Sequence, residues 1–255
     1  MNEKKELEKD MQEEMDNTTE LMDEEVEEKL SLGEKLKYFF SEPSKTMEDL
    51  ALNPIIYPIF IIAVIFMMLI IPKVNMLVDY SIPQIIESYR QQGVNITASE
   101  LPATVITMTK VGLIIGGFIT PLIGWVLNSV VIIILALITR CKGRLKGVLS
   151  VVAFSSIISV IGEAIRTIIA LITGNPEVNT SLVSIGQLIN PNMATDNPIL
   201  YSVMGSFEIF NLIFLYFVAL GLTYVYKISL KKAAAISYGN WALMVIIVLG
   251  IGQLF

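Results

Sequence analysis

Long runs of apolar residues, almost free of charge, constrain this sequence more than any other feature. Five such runs hold only three charged side chains between them. The shortest run, 18 residues, would extend about 27 Å as an α-helix, close to the thickness of the hydrocarbon core of a bilayer. Runs of this length are typical of membrane-spanning helices. The sequence therefore predicts an all-α membrane protein, a bundle of five transmembrane helices over residues 54–71, 111–139, 147–173, 199–226 and 233–255.

The charges of the chain are distributed unevenly. Residues 1–30 contain 13 acidic and 4 basic side chains, whereas residues 31–255 contain 11 acidic and 14 basic ones. An acidic stretch with few apolar residues is typical of a disordered segment. We therefore expect residues 1–30 to form a disordered acidic tail in the cytoplasm. The alternative is that this tail docks to a basic partner. No nucleic-acid partner is expected, because the sequence lacks a basic footprint.

Residues 31–53 combine apolar and charged positions at helical spacing. Leu32, Leu36 and Phe39 fall near one face of a helix, and lysines lie beside that face. This pattern is typical of a helix that lies in the plane of the membrane interface. We therefore predict that residues 31–53 form an interfacial amphipathic segment before the first span.

The basic residues of the loops predict an orientation. The two longer loops, 72–110 and 174–198, contain only three bases, whereas the two short loops between spans are strongly basic. Because cytoplasmic loops are enriched in Lys and Arg, we predict a multi-pass protein of the cell membrane with its N-terminus in the cytoplasm and its C-terminus outside. The bases that determine this prediction are Arg140, Lys142, Arg144, Lys146, Lys227, Lys231 and Lys232.

The residue content argues against a catalytic role. The chain has no histidine and a single cysteine, Cys141. A zinc site and a Ser-His or Cys-His pair would both need residues that are missing. We therefore expect no catalytic residue, no metal site and no cofactor, and we predict that the protein is not an enzyme.

Three charged residues fall inside the predicted spans, where a charge is costly and is a candidate for function. Glu163 and Arg166 share one face of the third span because they are three positions apart, and Glu208 lies in the fourth span. Counting residues from the predicted outer ends of the helices places all three charges at similar depth. They are therefore expected to meet in a polar network, with Asn128 and Asn211 as further members. Such a network either pins the helices together or relays protons or ions.

Small and polar residues recur at helical spacing on the second and third predicted spans. Such stripes usually mark close contact between membrane helices, and a polar pore lining is the alternative. The predicted packing positions are Gly112, Gly116, Gly117, Pro121, Gly124, Ser155, Ser159 and Gly162.

Two segments of the sequence resemble the Yip1 family. The stretch SEPSKTMEDLALNP, which precedes the first span, is similar to the entry motif of that family. The stretch FEIFNLIFLYFVALGLTYVYKISLKKA is similar to its fourth helix, although Asn211 stands where the family usually has a tryptophan. The resemblance covers about residues 38–255. The residues that carry it in the second stretch are Glu208, Phe210, Gly221, Lys231, Lys232 and Ala233.

The resemblance implies a compact five-helix bundle with a cytoplasmic N-terminus. Eukaryotic Yip1-like proteins bind Rab-type GTPases, but the composition of this chain suggests a bacterial member, to which that role does not transfer. We therefore expect a non-enzymatic membrane adaptor or assembly factor that contacts the lipid bilayer and other integral membrane proteins, such as an exporter complex. The alternative is a small transporter or channel that uses Glu163, Arg166 and Glu208.

Overall fold

The computed structural model describes residues 29–141 and 144–251, and it is built of helices joined by turns and short loops. Most of the predicted tail at residues 1–30, the base Lys142 and the end of the fifth predicted span, residues 252–255, lie outside the described residues.

A helical hairpin precedes the first apolar run. It consists of α1 (Leu32–Ser41) and α2 (Pro43–Leu52). At its start, the Ser31 hydroxyl and backbone N–H both donate to the Glu34 carboxylate, which lowers the pKa of that carboxyl below its usual value. The hairpin packs against the bundle through Phe39, Met47 and Leu50, which are fully buried.

The hairpin therefore uses only part of its apolar surface for packing. Leu36 and Phe40 remain exposed on α1, as an interfacial segment would require. Lys35, by contrast, is almost completely buried, and its ammonium group pairs with Asp49 of α2. An internal ion pair thus joins the two helices of the hairpin.

The first apolar run continues further than its hydropathy indicates. Helix α3 (Pro58–Ile70) passes through a 3₁₀ turn (Ile71–Lys73) into α4 (Val74–Gln91), which gives 34 helical residues in succession. We predicted a span that ends at residue 71 because charged and polar residues follow. Those residues continue the helix as an amphipathic extension.

The second and third predicted spans also have different boundaries in the structure. Helix α5 (Ala103–Ile138) has 36 residues and begins eight positions before the predicted start at residue 111. The third span is divided by a turn at Ser156 into α6 (Leu145–Ser155) and α7 (Ile157–Thr173).

The fourth predicted span is interrupted as well. Three short helices, α8 (Val183–Ile189), α9 (Met193–Asp196) and α10 (Pro198–Ser206), come before α11 (Ile209–Tyr226) and α12 (Leu230–Ile251). The break lies at Phe207 and Glu208. There the Phe207 carbonyl accepts a hydrogen bond from the Leu182 N–H, and the Glu208 carboxylate caps α11. These bonds replace the helical ones that a continuous span would have made.

Four helical segments within the described residues are long and apolar enough to cross a membrane. They are Pro58–Gln91, Ala103–Ile138, Leu145–Thr173 and Ile209–Tyr226. The protein is therefore a multi-pass helical membrane protein. A fifth span, which α12 would supply, stays a prediction.

Helix α11 lies at the centre of the bundle, against α2, α6, α7 and α12. Its approach to α6 is close, because a Cβ atom at Gly221 would lie 2.2 Å from Val151 Cγ1. The side chains around this contact, among them Val218 and Leu222, are fully buried. The core of the bundle thus lies along α11, and Glu208 lies at the N-terminal end of this helix.

Candidate functional site

Four charged side chains form one connected network in the bundle. Lys73 Nζ lies 2.5 Å from Glu163 Oε1, and the other oxygen of Glu163 accepts from Arg166 Nε at 3.1 Å. Arg166 Nη1 lies 3.1 Å from Glu208 Oε1. The chain of contacts therefore runs from Lys73 through Glu163 and Arg166 to Glu208.

Each member is positioned by a local feature of its helix. Lys73 ends the 3₁₀ turn after α3, and Glu163 and Arg166 lie one turn apart on α7. Glu208 is the N-cap of α11, where its Oε2 accepts the Asn211 backbone N–H at 2.6 Å. The network thus links three segments of the bundle that are far apart in the sequence.

A hydroxyl from the loop between α7 and α8 completes the network. Thr180 Oγ1 donates to Glu208 Oε1 at 2.6 Å and accepts from Arg166 Nη1 at 3.2 Å. The next residue, Ser181, forms an isolated antiparallel bridge with Glu208. The loop before α8 is therefore tied to the same carboxylate.

The network is electrically balanced. It contains two cations and two carboxylates, and each carboxylate oxygen accepts at least one hydrogen bond. The side chains are between 9% and 23% exposed, so an unpaired charge at this place would be costly. Each charge of the network therefore has an opposite charge within hydrogen-bond distance.

A shallow, open pocket of about 550 Å³, which we call the cavity, lies beside the network. Arg166 and Glu208 form part of its wall, together with Ser159, Asn211 and Trp241. Lys73 and Glu163 are not among its lining residues. One half of the network thus borders a space that can hold water or a small polar solute.

The match to known families agrees with this architecture. The model of the Yip1 domain matches residues 37–251, which is most of the chain. The chain belongs to the Yip1 family. Neither the curated proteins nor the solved structures gave a match. Yip1 proteins are generally non-enzymatic.

The structure places the predicted polar residues of this Yip1 domain in two groups. It brings Glu163, Arg166 and Glu208 together, and Asn211 joins them through its backbone N–H. Asn128 lies elsewhere, where its Oδ1 accepts a hydrogen bond from Asn240 Nδ2 at 2.8 Å. This second pair links α5 to α12.

Sequence reasoning missed two members of the network, Lys73 and Thr180. Lys73 lies just after the first apolar run, and hydropathy therefore assigns it to the loop that follows. The signal that could have identified Lys73 is a cation within one turn of an apolar run, in a protein with carboxylates inside the membrane. No comparable signal marks Thr180 among the many hydroxyl residues of the chain.

The predicted packing residues also divide into two groups. Gly117 and Gly162 make close approaches, because an added Cβ would lie 2.3 Å from Ile70 Cδ1 and 2.6 Å from Phe210 Cγ, respectively. Ser155 is buried and Ser159 lines the cavity. The remaining glycines are Gly112, Gly116 and Gly124. Within the described residues, an added Cβ at these positions would meet no other helix within 4 Å. Pro121 is half-buried inside α5.

The amide pair permits a test of buried polar contacts in this fold. Asn128→Leu should lower the free energy of unfolding by about 1 kcal/mol, because the nearly buried Asn240 would lose its partner. Asn128→Leu together with Asn240→Leu should recover most of this loss. Unfolding of the purified protein in mixed detergent micelles would measure both. Equal losses for the single and the double variant would contradict a role for the pair.

Proposed function

We propose that this Yip1 protein is a non-enzymatic membrane adaptor or assembly factor with five spans. Its N-terminus would lie in the cytoplasm and its C-terminus outside the cell membrane. It would act by binding other integral membrane proteins, such as an exporter complex. The balanced network supports this proposal because it holds a fixed helix packing, as a binding scaffold requires.

The observation that carries the proposal is an uncovered face of α5. Gly112 is exposed, and an added Cβ there would meet nothing within 4 Å. Four positions on, an added Cβ at the half-buried Gly116 would meet only Thr120 Oγ1 of the same helix, at 3.9 Å. The larger residues of the same face, including Ile115 and Ile119, are nearly half exposed. A small-xxx-small pair in such a face allows the backbone of another membrane helix to approach closely.

Bulk added at the glycine pair should therefore disrupt partner binding. We expect Gly112→Ile with Gly116→Ile to reduce the amount of membrane protein that co-purifies in a mild detergent, with little change in stability. Gly124→Ile is the control, since an added Cβ there also meets nothing within 4 Å, while the residue lies about 100° around the same helix from the centre of the pair. Co-purification that both variants reduce equally, or that neither reduces, would refute α5 as the binding face.

The cavity favours a second candidate, a small transporter. It borders Arg166 and Glu208, so a proton or small solute could reach the network through it. The test is flux through liposomes that contain the purified protein. Flux that is lost in a variant with both Glu163→Gln and Lys73→Gln, while that variant remains folded, would favour transport over the adaptor role.

A further inference from the structure

Six exposed basic residues meet at one end of the bundle. The end of α5 is joined to the start of α12 by a hydrogen bond of 2.9 Å from Lys232 Nζ to the Thr139 carbonyl. The start of α6 lies against the end of α11, where an added Cβ at Gly147 would contact Val225 at 3.5 Å. We call this surface the basic face; its members are Arg140, Arg144, Lys146, Lys227, Lys231 and Lys232.

The basic face is not neutralised within the described part of the chain. The two loops that form it, residues 139–147 and 227–232, contain no acidic residue. The ion pairs of residues 29–141 and 144–251 involve other cations, namely Lys35, Lys73, Arg90 and Arg166. An exposed cluster of this kind attracts anionic groups.

The acidic N-terminal segment joins the described part of the chain at the hairpin. Leu30 is held against the hairpin, since its N–H donates to Asp49 Oδ1 at 3.2 Å and its carbonyl accepts from Lys35 Nζ at 2.6 Å. Helix α2 of that hairpin packs against α6 and α11, whose ends form the basic face. The chain that precedes Leu30 is therefore tethered to the same bundle that carries the exposed bases.

We propose that residues 1–28 bind the basic face and compete there with anionic lipid headgroups. Residues 1–28 contain 13 acidic and 3 basic side chains, a net charge of −10, which complements six exposed cations. An extended segment of 28 residues could reach up to about 90 Å, so the distance does not limit binding. Because the segment is tethered, its effective concentration at the face is high, and a weak electrostatic attraction is sufficient.

This binding would have a regulatory consequence. Anionic lipids attract basic residues that lie near a membrane surface. With the acidic segment bound, the basic face would be closed to these headgroups. A membrane rich in anionic lipid would displace the segment and free it for other partners.

The distance between the segment and the face tests the proposal. Spin labels at Asn17→Cys and Leu230→Cys, in full-length protein that also carries Cys141→Ser, would be measured in nanodiscs of phosphatidylcholine. We expect a population of short distances at low salt, which should be lost at about 1 M salt, where the screening length is about 3 Å. The same loss is expected when Glu24, Glu25, Glu27 and Glu28 are changed to Gln.

Matched variants separate the basic face from general charge. Arg144→Gln with Lys227→Gln and Lys231→Gln should abolish the short distances, whereas Arg90→Gln with Lys110→Gln should preserve them. Nanodiscs of phosphatidylcholine and phosphatidylglycerol in equal parts should also abolish them. Short distances that persist in the face variant or in the anionic nanodiscs would overturn the proposal, as would their absence from the unmodified segment at low salt.

Discussion

Glu163→Gln is expected to lower the free energy of unfolding by about 3–5 kcal/mol. The Glu163 carboxylate, 16% exposed, is the only acidic partner of Lys73 within the described residues, and it also accepts from Arg166. Its neutral replacement would leave the nearly buried Lys73 ammonium without an opposite charge. Unfolding of the purified protein, titrated with a denaturing detergent in mixed micelles, would measure the loss.

A second substitution identifies the origin of this loss. Lys73→Gln added to Glu163→Gln removes one cation and one carboxylate, and it preserves the pair of Arg166 and Glu208. This double variant should recover most of the stability. Arg166→Gln added to Glu163→Gln should not, since it leaves Lys73 and Glu208 each without its charged partner. A Glu163→Gln protein as stable as the parent would show that the network does not hold the helices.

The partners of Glu163 could be predicted only in part from the sequence. The spacing of Glu163 and Arg166 is visible in the sequence and identifies them as a pair. Lys73 is 90 positions from Glu163, and hydropathy assigns it to a loop because the apolar run ends at residue 71. From the sequence alone, Arg166 would be chosen as the compensating residue. The continuous helix through Ile71–Lys73 is what carries the Lys73 side chain to Glu163.

Helix breaks are also hard to predict when distant residues cause them. The run at residues 199–226 contains Glu208 as its only charged residue, and it contains no proline. Its interruption depends on Ser181 and Leu182, which bind Phe207 and Glu208 across a loop. Local helix propensity cannot predict these tertiary contacts. The composition of the apolar runs, by contrast, is enough to predict a helical membrane protein.

The glycines show the same limit on a smaller scale. Gly112 and Gly162 are both small residues in apolar helices, and their spacing to other small residues gave both the same predicted role. In the structure an added Cβ would meet nothing within 4 Å at Gly112, but at Gly162 it would meet two ring atoms and the Cβ atom of Phe210. Periodicity thus identifies candidate contact faces, and only the position of the neighbouring helix decides which of them are used.

Gly162→Ala is therefore expected to destabilise the protein by about 1–3 kcal/mol, a typical cost of overpacking. The added methyl would lie between 2.6 and 2.9 Å from Phe210 Cγ, Cδ2 and Cβ, and the Cβ atom cannot move without shifting the start of α11. Because α11 begins beside Glu208, the shift would also strain the ion network. Unfolding in mixed micelles would measure the change.

Two further variants test this explanation. Phe210→Ala added to Gly162→Ala should cost less than the sum of the two single changes, because removal of the ring makes room for the methyl. Gly112→Ala is the matched control, and it should be neutral or slightly stabilising, since alanine favours a helix and no atom lies within 4 Å of the new group. If Gly112→Ala and Gly162→Ala had equal effects, helix propensity rather than the contact of α7 with α11 would account for both.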